Sequence, residues 1–317
     1  MTQNETNAER PDSGVYFIRK EEAMSETCLW KEQYRIGNKE IDEQHYQLFC
    51  KIDNLLAIAR SGDFEKKKKE CYDLIEFLID YTKFHFESEE KIQKKLQYVG
   101  YTQHVWIHKE FIQTIQDYKE KLEKDFSQLV LKSFVGTLLT WLALHVCGCD
   151  RKIMPNIPLE DQNALAGAAE NIDLIVSKFL ADTYGLQVKG AKSCLYKGFV
   201  EGKVFVRRVV KGESEYVFLY GLSEQIAREL YTTISTLEIG DIEKLDEMER
   251  SALTEITNMM STYIMGILSK EPVTSFRYSD TVYTKEYKDD TYNLRDGVVI
   301  SIETNHGNME VLYCKVK

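Results

Sequence analysis

The chain has no surplus of positive charge. Its 41 lysines and arginines are outnumbered by 51 aspartates and glutamates, for a formal net charge of −10. Phosphate recognition needs a basic face, so this balance argues against nucleic acid as a main partner. The one basic block, residues 66–69, reads as a solvated loop or helix end. No apolar run is expected to cross a bilayer. The N-terminus lacks an apolar signal core, so residues 1–25 read as a disordered tail and the compartment as the cytoplasm. The 7 cysteines are odd in number and lack the spacing of a disulfide framework. In a reducing compartment they act as small buried hydrophobes. Proline is rare, at 4 in 317 residues, and almost no Pro/Gly/Ser-rich linker divides the chain. What remains is an ordinary globular composition, 43% hydrophobic and 29% charged, long enough for two domains.

Histidine is scarce too, with only 6 residues, yet five of them fall within one third of the length. They run His45, His85-x3-Glu89, His104-x3-His108 and His145-x4-Asp150. His306 lies far away. Imidazole with carboxylate suits iron or zinc. Each histidine sits in an apolar stripe of helical period. The stripes are Ile41, His45, Leu48, Ile52; then Leu74, Leu78, Tyr81, His85; then His104, His108, Phe111, Ile115; then Leu131, Phe134, Leu138, Trp141, His145. Four such helices joined by short polar loops, with Gly62 and Gly100 at two turns, make an antiparallel bundle. Five inward histidines would each leave ring nitrogens without partners in an apolar core, and a metal site removes that cost. His145 and Asp150 lie about 140° apart around a helix, so Asp150 must reach back from the helix end.

This pattern resembles the hemerythrin family over about residues 28–155. The lead-in segment matches at Trp30, Tyr34, Ile36-Gly37, Ile41-Asp42 and Gln44-His45. His85-Phe86, Glu89-Glu90, His104-x3-His108-Lys109 and Trp141-Leu142 before His145 and Asp150 match the rest. The resemblance implies a non-haem di-iron centre with an oxo or hydroxo bridge. His104, His108 and His145 would hold one iron, His45 and His85 the other, and Glu89 and Asp150 would bridge them. One position would stay free for O2 on the iron with two histidines. Phe49, Phe86, Phe111 and Trp141 are expected to wall the pocket. Cys147 and Cys149 flank the last ligands, where a thiol could report redox state, although small buried side chains account for them as well.

From Asn171 the pattern turns to α+β with a largely antiparallel sheet. Ile172, Ile175, Phe179 and Leu180 sketch a helix ending at Tyr184-Gly185, and a helix over about residues 164–180 is expected to join the halves. Strands follow at residues 193–199, 203–210 and 215–220. Helices run over 223–235, with Ser223 as N-cap, and over 246–268. Further strands fall at 273–278, 298–303 and 309–316. This half resembles the CheX chemotaxis phosphatases over about residues 165–315. The resemblance rests on Tyr184-Gly185-Leu186, Tyr216-Val217-Phe218, Leu222-Ser223-Glu224 with Ala227-Arg228-Glu229-Leu230, and Glu255-Ile256-Thr257-Asn258-Met259-Met260. It implies a Glu-x-x-Asn helix that docks on a phosphorylated CheY-like receiver domain with its Mg2+. Asn258 would orient the attacking water and Glu255 would contact a receiver lysine. It also implies a homodimer paired through the sheets. Two departures stand out: Thr262 replaces a usual glycine, and the helix from Ser223 has Glu224 but Ala227 where a second asparagine would fall.

The expected architecture is a hemerythrin-like bundle over 26–158 and a CheX-like α+β domain over 160–317. The expected function is a cytoplasmic O2 or redox sensor whose bundle regulates receiver dephosphorylation or binding. Two alternatives use the same residues: a C-terminal half that only dimerises or recruits, or a bundle that stores O2 or scavenges nitric oxide or peroxide.

Overall fold

In the computed structural model, residues 29–59, 63–153, 172–235, 237–268, 277–278, 282–284 and 292–316 are described. Four long helices form an antiparallel bundle: α1 (Lys39–Ala59), α2 (Phe64–Lys95), α3 (Tyr101–Lys124) and α4 (Gln128–Gly148). Local chemistry starts them. The Asp63 carboxylate accepts from the Lys66 N–H at the head of α2, and the Ser127 hydroxyl accepts from the Val130 N–H at the head of α4. Ahead of α1, Asp42 accepts from the Ile36 and Gly37 N–H groups, and Gly37 takes φ +92°, a conformation suited to glycine. The stripes read from the sequence are the buried faces of these helices.

The second half holds α5 (Ile172–Tyr184), β1 (Val188–Leu195), β2 (Val204–Lys211), β3 (Glu215–Leu222), α6 (Glu224–Ser235) and α7 (Glu247–Leu268). Then come β4 (Arg277–Tyr278), β5 (Val282–Thr284), β6 (Val298–Thr304) and β7 (Gly307–Lys315). The strands form one antiparallel sheet in the order β1-β6-β7-β3-β2-β4, with β5 also on β2. Alternation sorts its faces. Tyr216, Phe218, Tyr220 and Leu222 of β3 join the main core on the helix side, while Val217 and Leu219 join a separate cluster on the other.

Several expectations shift. The first strand begins at Val188 rather than 193, and the short strand β5 was not anticipated. The connecting helix read over 164–180 is seen only from Ile172, and residues 154–171, like the expected tail and Gly62, lie outside the described residues. None of the six described cysteines is in a disulfide. The reading that no run could cross a bilayer needs correction. Within residues 128–153 an 18-residue window has the length and composition for it, with a mean hydropathy of 1.6. Its apolarity has another cause, because 78% of that window is buried in the protein. α4 packs on α1 and α3 with one side and on α5, α6 and α7 with the other. A helix with core on both sides is apolar all round.

Candidate metal centre

Four helices and one turn bring the seven side chains together. His45 comes from α1, His85 and Glu89 from α2, His104 and His108 from α3, and His145 from α4. Asp150 opens the 3-10 turn Asp150–Ile153, which folds it back under the end of α4. That turn resolves the awkward spacing, since Asp150 Oδ1 lies 3.0 Å from His145 Nε2. All seven are at most 3% exposed.

The two carboxylates divide their oxygens between two groups of rings. Glu89 Oε1 faces His45 Nε2 and His85 Nε2, each at 3.4 Å. Glu89 Oε2 faces His108 Nε2 at 3.2 Å, His104 Nε2 at 3.5 Å and His145 Nε2 at 4.0 Å. Asp150 repeats the division. Its Oδ2 lies 3.2 Å from His45 Nε2, and its Oδ1 lies 3.2 Å from His104 Nε2. His45 and His85 thus form one group with Glu89, while His104, His108 and His145 form another with Glu89 and Asp150. In each group, candidate donor atoms lie within 4.8 Å of one another.

These contacts are close but poorly aligned for hydrogen bonding. His45 Nε2, His104 Nε2 and all four oxygens of Glu89 and Asp150 are buried with no hydrogen-bond partner. Orphaned polar atoms at this density would be costly in an apolar core. His108 Nε2 and His145 Nε2 face each other at 3.0 Å, an arrangement that two lone pairs avoid unless a cation or proton sits between them. A cation bound by those lone pairs would satisfy all of them, so the residues fit a metal and the donor set suits non-haem iron.

Burial and the two carboxylates act on the rings in opposite directions. Burial pulls down the imidazolium of His45 and of His104, but Asp150 and Glu89 outweigh it and raise both to about 9. Burial prevails at His85 and His145, which fall to about 3 and about 4. Burial opposes ionisation of Glu89 and Asp150 as well, yet the surrounding imidazoles hold both well below the usual carboxylate range.

A second layer fixes the rings. His85 Nδ1 lies 2.7 Å from Gln44 Oε1, and His108 Nδ1 lies 3.5 Å from Glu90 Oε1. Both partners precede or follow a ligand directly in sequence. They entered the sequence reading only as matched motif positions, because adjacency along a helix does not say which ring a side chain will meet. Phe86 stacks on His108 with centroids 3.7 Å apart, and Trp141 stacks on His145 at 4.3 Å. Phe111 lies one layer out, against Trp141. Phe49 instead stacks on Tyr34, so no ring contact places it on the wall. Burial pushes the thiols of Cys147 and Cys149 up to about 11 and about 12.

Glu255 and Asn258 lie one turn apart on α7, and the Asn258 amide donates to Glu255 Oε2 at 3.3 Å. Both are partly buried, on a helix that packs against α4. Arg208, on the helix side of β2, donates to the Asn258 carbonyl and to Thr262 Oγ1. Glu224 pairs with Arg228, and His306 pairs with Glu229.

Residues 37–157 match the family described as Hemerythrin HHE cation binding domain. A bacteriohemerythrin of Clostridium acetobutylicum is 26% identical over 125 residues, covering 39% of this chain and 96% of that protein. A bacteriohemerythrin of Pseudomonas paraeruginosa is 30% identical over 118 residues, covering 37% and 73%. The second half is similar to solved structures of chemotaxis proteins. CheX from Desulfovibrio desulfuricans aligns over 49% of this chain and 99% of its own, at 20% identity and a TM-score of 0.37. A CheX–CheY–BeF3–Mg2+ complex from Borrelia burgdorferi aligns over 49% and 97%, at 15% identity and a TM-score of 0.38.

Proposed function

The chain belongs to the hemerythrin family, and from that premise we propose that its bundle senses O2 or redox state through a di-iron site and regulates a receiver-directed second half. His104, His108 and His145 would hold one iron, His45 and His85 the other, with Glu89 and Asp150 shared between them. The carrying observation is the two-way division of the Glu89 and Asp150 oxygens among buried atoms that lack other partners. When bound, such an iron pair would supply O2 binding and one-electron redox chemistry. The protein's own part is to orient and to exclude. Gln44 fixes the tautomer and rotation of His85, and Glu90 does the same for His108. Phe86 and Trp141 keep water and its protons off the ring faces they cover.

In the second half, Asn258 would orient a water toward the phosphorus of a receiver aspartyl phosphate, since an amide can hold water without titrating. Water would add to phosphorus as the P–O bond to the aspartyl carboxylate breaks, leaving free carboxylate and inorganic phosphate. The receiver's Mg2+ would carry much of the charge stabilisation, and Glu255 would hold the receiver's lysine. A homodimer through β1 fits this reading, because that edge strand is exposed along most of its length.

The test is decay of a phosphorylated CheY-like receiver, measured anaerobically with ferrous protein and again after O2. Iron content and optical spectrum are taken on the same sample. Two irons per chain and a decay rate that changes with O2 are expected. Changing Glu255 or Asn258 to Ala should return the receiver to its own decay rate. The partial burial of Glu255 favours a second reading, in which this half only recruits. An unchanged decay rate with wild type and both variants selects it.

A further inference from the structure

α7 is covered on more than one side. Leu253, Ile256, Met260 and Ile264 are fully buried, Ser261 meets the Tyr220 hydroxyl of β3 at 2.7 Å, and Arg208 of β2 reaches the Asn258 carbonyl and Thr262. Another stripe runs Met248, Ser251, Glu255, Met259, Thr262, Gly266, with helical spacing throughout. Contacts at both ends of it are with the bundle. Ser251 Oγ lies 2.8 Å from Ser133 Oγ of α4. A methyl group on Gly136 of α4 would come within 2.5 Å of the Met248 carbonyl, so the two backbones nearly touch there. Met259 and Thr262 line one small cavity with Leu144, Gly148 and Ile107. A methyl group on Gly266 would meet the side-chain amide of Gln103 of α3, so α7 lies close to α3 there. Glu255 sits midway along this stripe, where its charge is felt by Tyr118 of α3.

We propose that α3 and α4 mask the Glu255–Asn258 face of α7, so that a receiver can dock there only when this seam opens. The inference rests on the receiver-directed reading of those two residues. A receiver and the bundle cannot occupy one helix face together, so the fraction of chains with an open seam sets the apparent affinity for the receiver.

The seam is polar at two places, Ser133 with Ser251 and Lys132 Nζ with Asp246 Oδ2 at 2.6 Å, and apolar beside them, where Met248 and Met259 are buried. A cleft of about 490 Å3 opens beside it, lined by Leu56, Lys67, Lys132, Tyr231 and Asp246 among others. The polar pairs and the cleft are where the seam gives first, while the apolar core shared by α4 and α7 opposes opening and keeps the open fraction small. The seam is also tied to the candidate metal centre. Lys152, two residues after Asp150 in the same turn, donates to the Tyr263 hydroxyl of α7 at 3.0 Å, and its Nζ lies 4.2 Å from that ring's centre. His145 rides on the masking helix itself. A shift of Asp150 or His145 therefore bears directly on α7.

Two variants of the full chain, iron-loaded, test this without touching a candidate ligand or the Glu-x-x-Asn pair. Ser133→Cys with Ser251→Cys, at positions whose hydroxyls nearly touch, is a lock when oxidised. Gly136→Ala is a wedge. The readouts are receiver decay, amide exchange over residues 247–268, and the iron spectrum as a check of folding. The oxidised lock should leave the receiver at its own decay rate, and a thiol reductant should restore acceleration. The wedge should speed both receiver decay and α7 exchange by about tenfold. An oxidised lock that dephosphorylates as fast as its reduced form overturns the proposal. If no variant, wedge included, accelerates receiver decay, the receiver reading fails and exchange decides alone. Exchange that rises with the wedge, responds to iron oxidation state and stops in the lock supports a releasable seam. Identical exchange in all forms overturns it. Should the wedge lose its iron spectrum, the difference between the oxidised and reduced lock decides by itself.

Discussion

Gln44 turns its carbonyl oxygen to His85 Nδ1 at 2.7 Å, and that single bond sets which ring nitrogen points to the carboxylates. Replacing Gln44 with Ala leaves the ring free to rotate and to change tautomer. Partners of this kind are worth about 10–100-fold in metal affinity. Iron titration of Gln44→Ala should show a loss in that range with helix content unchanged. A loss under twofold would mean that packing against Tyr81 holds the ring by itself. At this scale the sequence was most legible where polarity conflicts with burial. A histidine in a helical apolar stripe stands out because its nitrogens need partners. Glu255 carried no such signal: from the sequence alone it could as well have faced water, and only the packing of α7 against the bundle leaves it partly buried.

At the scale of elements, α4 and α7 do the joining. Leu138 is fully buried in α4, a helix with core on both sides. Leu138→Ala should cost about 2–5 kcal/mol in denaturant unfolding, because a cavity left there cannot collapse toward solvent. The seam also has a pH sense. Burial pushes the Glu255 carboxyl up, offset in part by Arg208 of β2 and by the Asn258 amide, with the Tyr118 hydroxyl of α3 as its other titratable neighbour. A carboxyl whose folded pKa is raised favours the folded contact while protonated. Its contribution is present below the unfolded value and is lost as pH rises through the folded one. Exchange over 247–268, corrected for intrinsic rates, should therefore rise across that window in wild type and stay flat in Glu255→Gln. A rise of equal size in the variant would assign the effect to another group. The inward stripe of α4 accounts for only part of its apolarity. The apolarity of Val135, Ala143, Leu144 and Cys147 on its other sides was equally visible, and it marks a helix covered twice.

For the whole molecule, sharing α4 between bundle and sheet domain has a thermodynamic consequence. Iron that binds only the folded site stabilises by mass action, about 2.7 kcal/mol at a free concentration 100 times Kd. Because α4 is core to both halves, that gain should reach the sheet as well as the bundle. Calorimetry should show one transition that moves as a unit to lower temperature when iron is removed by a chelator. Two transitions, with only one sensitive to chelation, would mean that the halves unfold separately. Residue spacing along the chain already carries the four inward histidine stripes, the metal-binding chemistry they suit and the β-rich runs of the second half. Each is a local consequence of residue spacing and of the cost of burying unpaired polar groups. Which carboxylate oxygen faces which ring, the turn that folds Asp150 back, and the packing of the Glu255 stripe against the bundle come only with the tertiary structure. Those depend on distances between segments far apart in the chain, which side-chain periodicity does not encode.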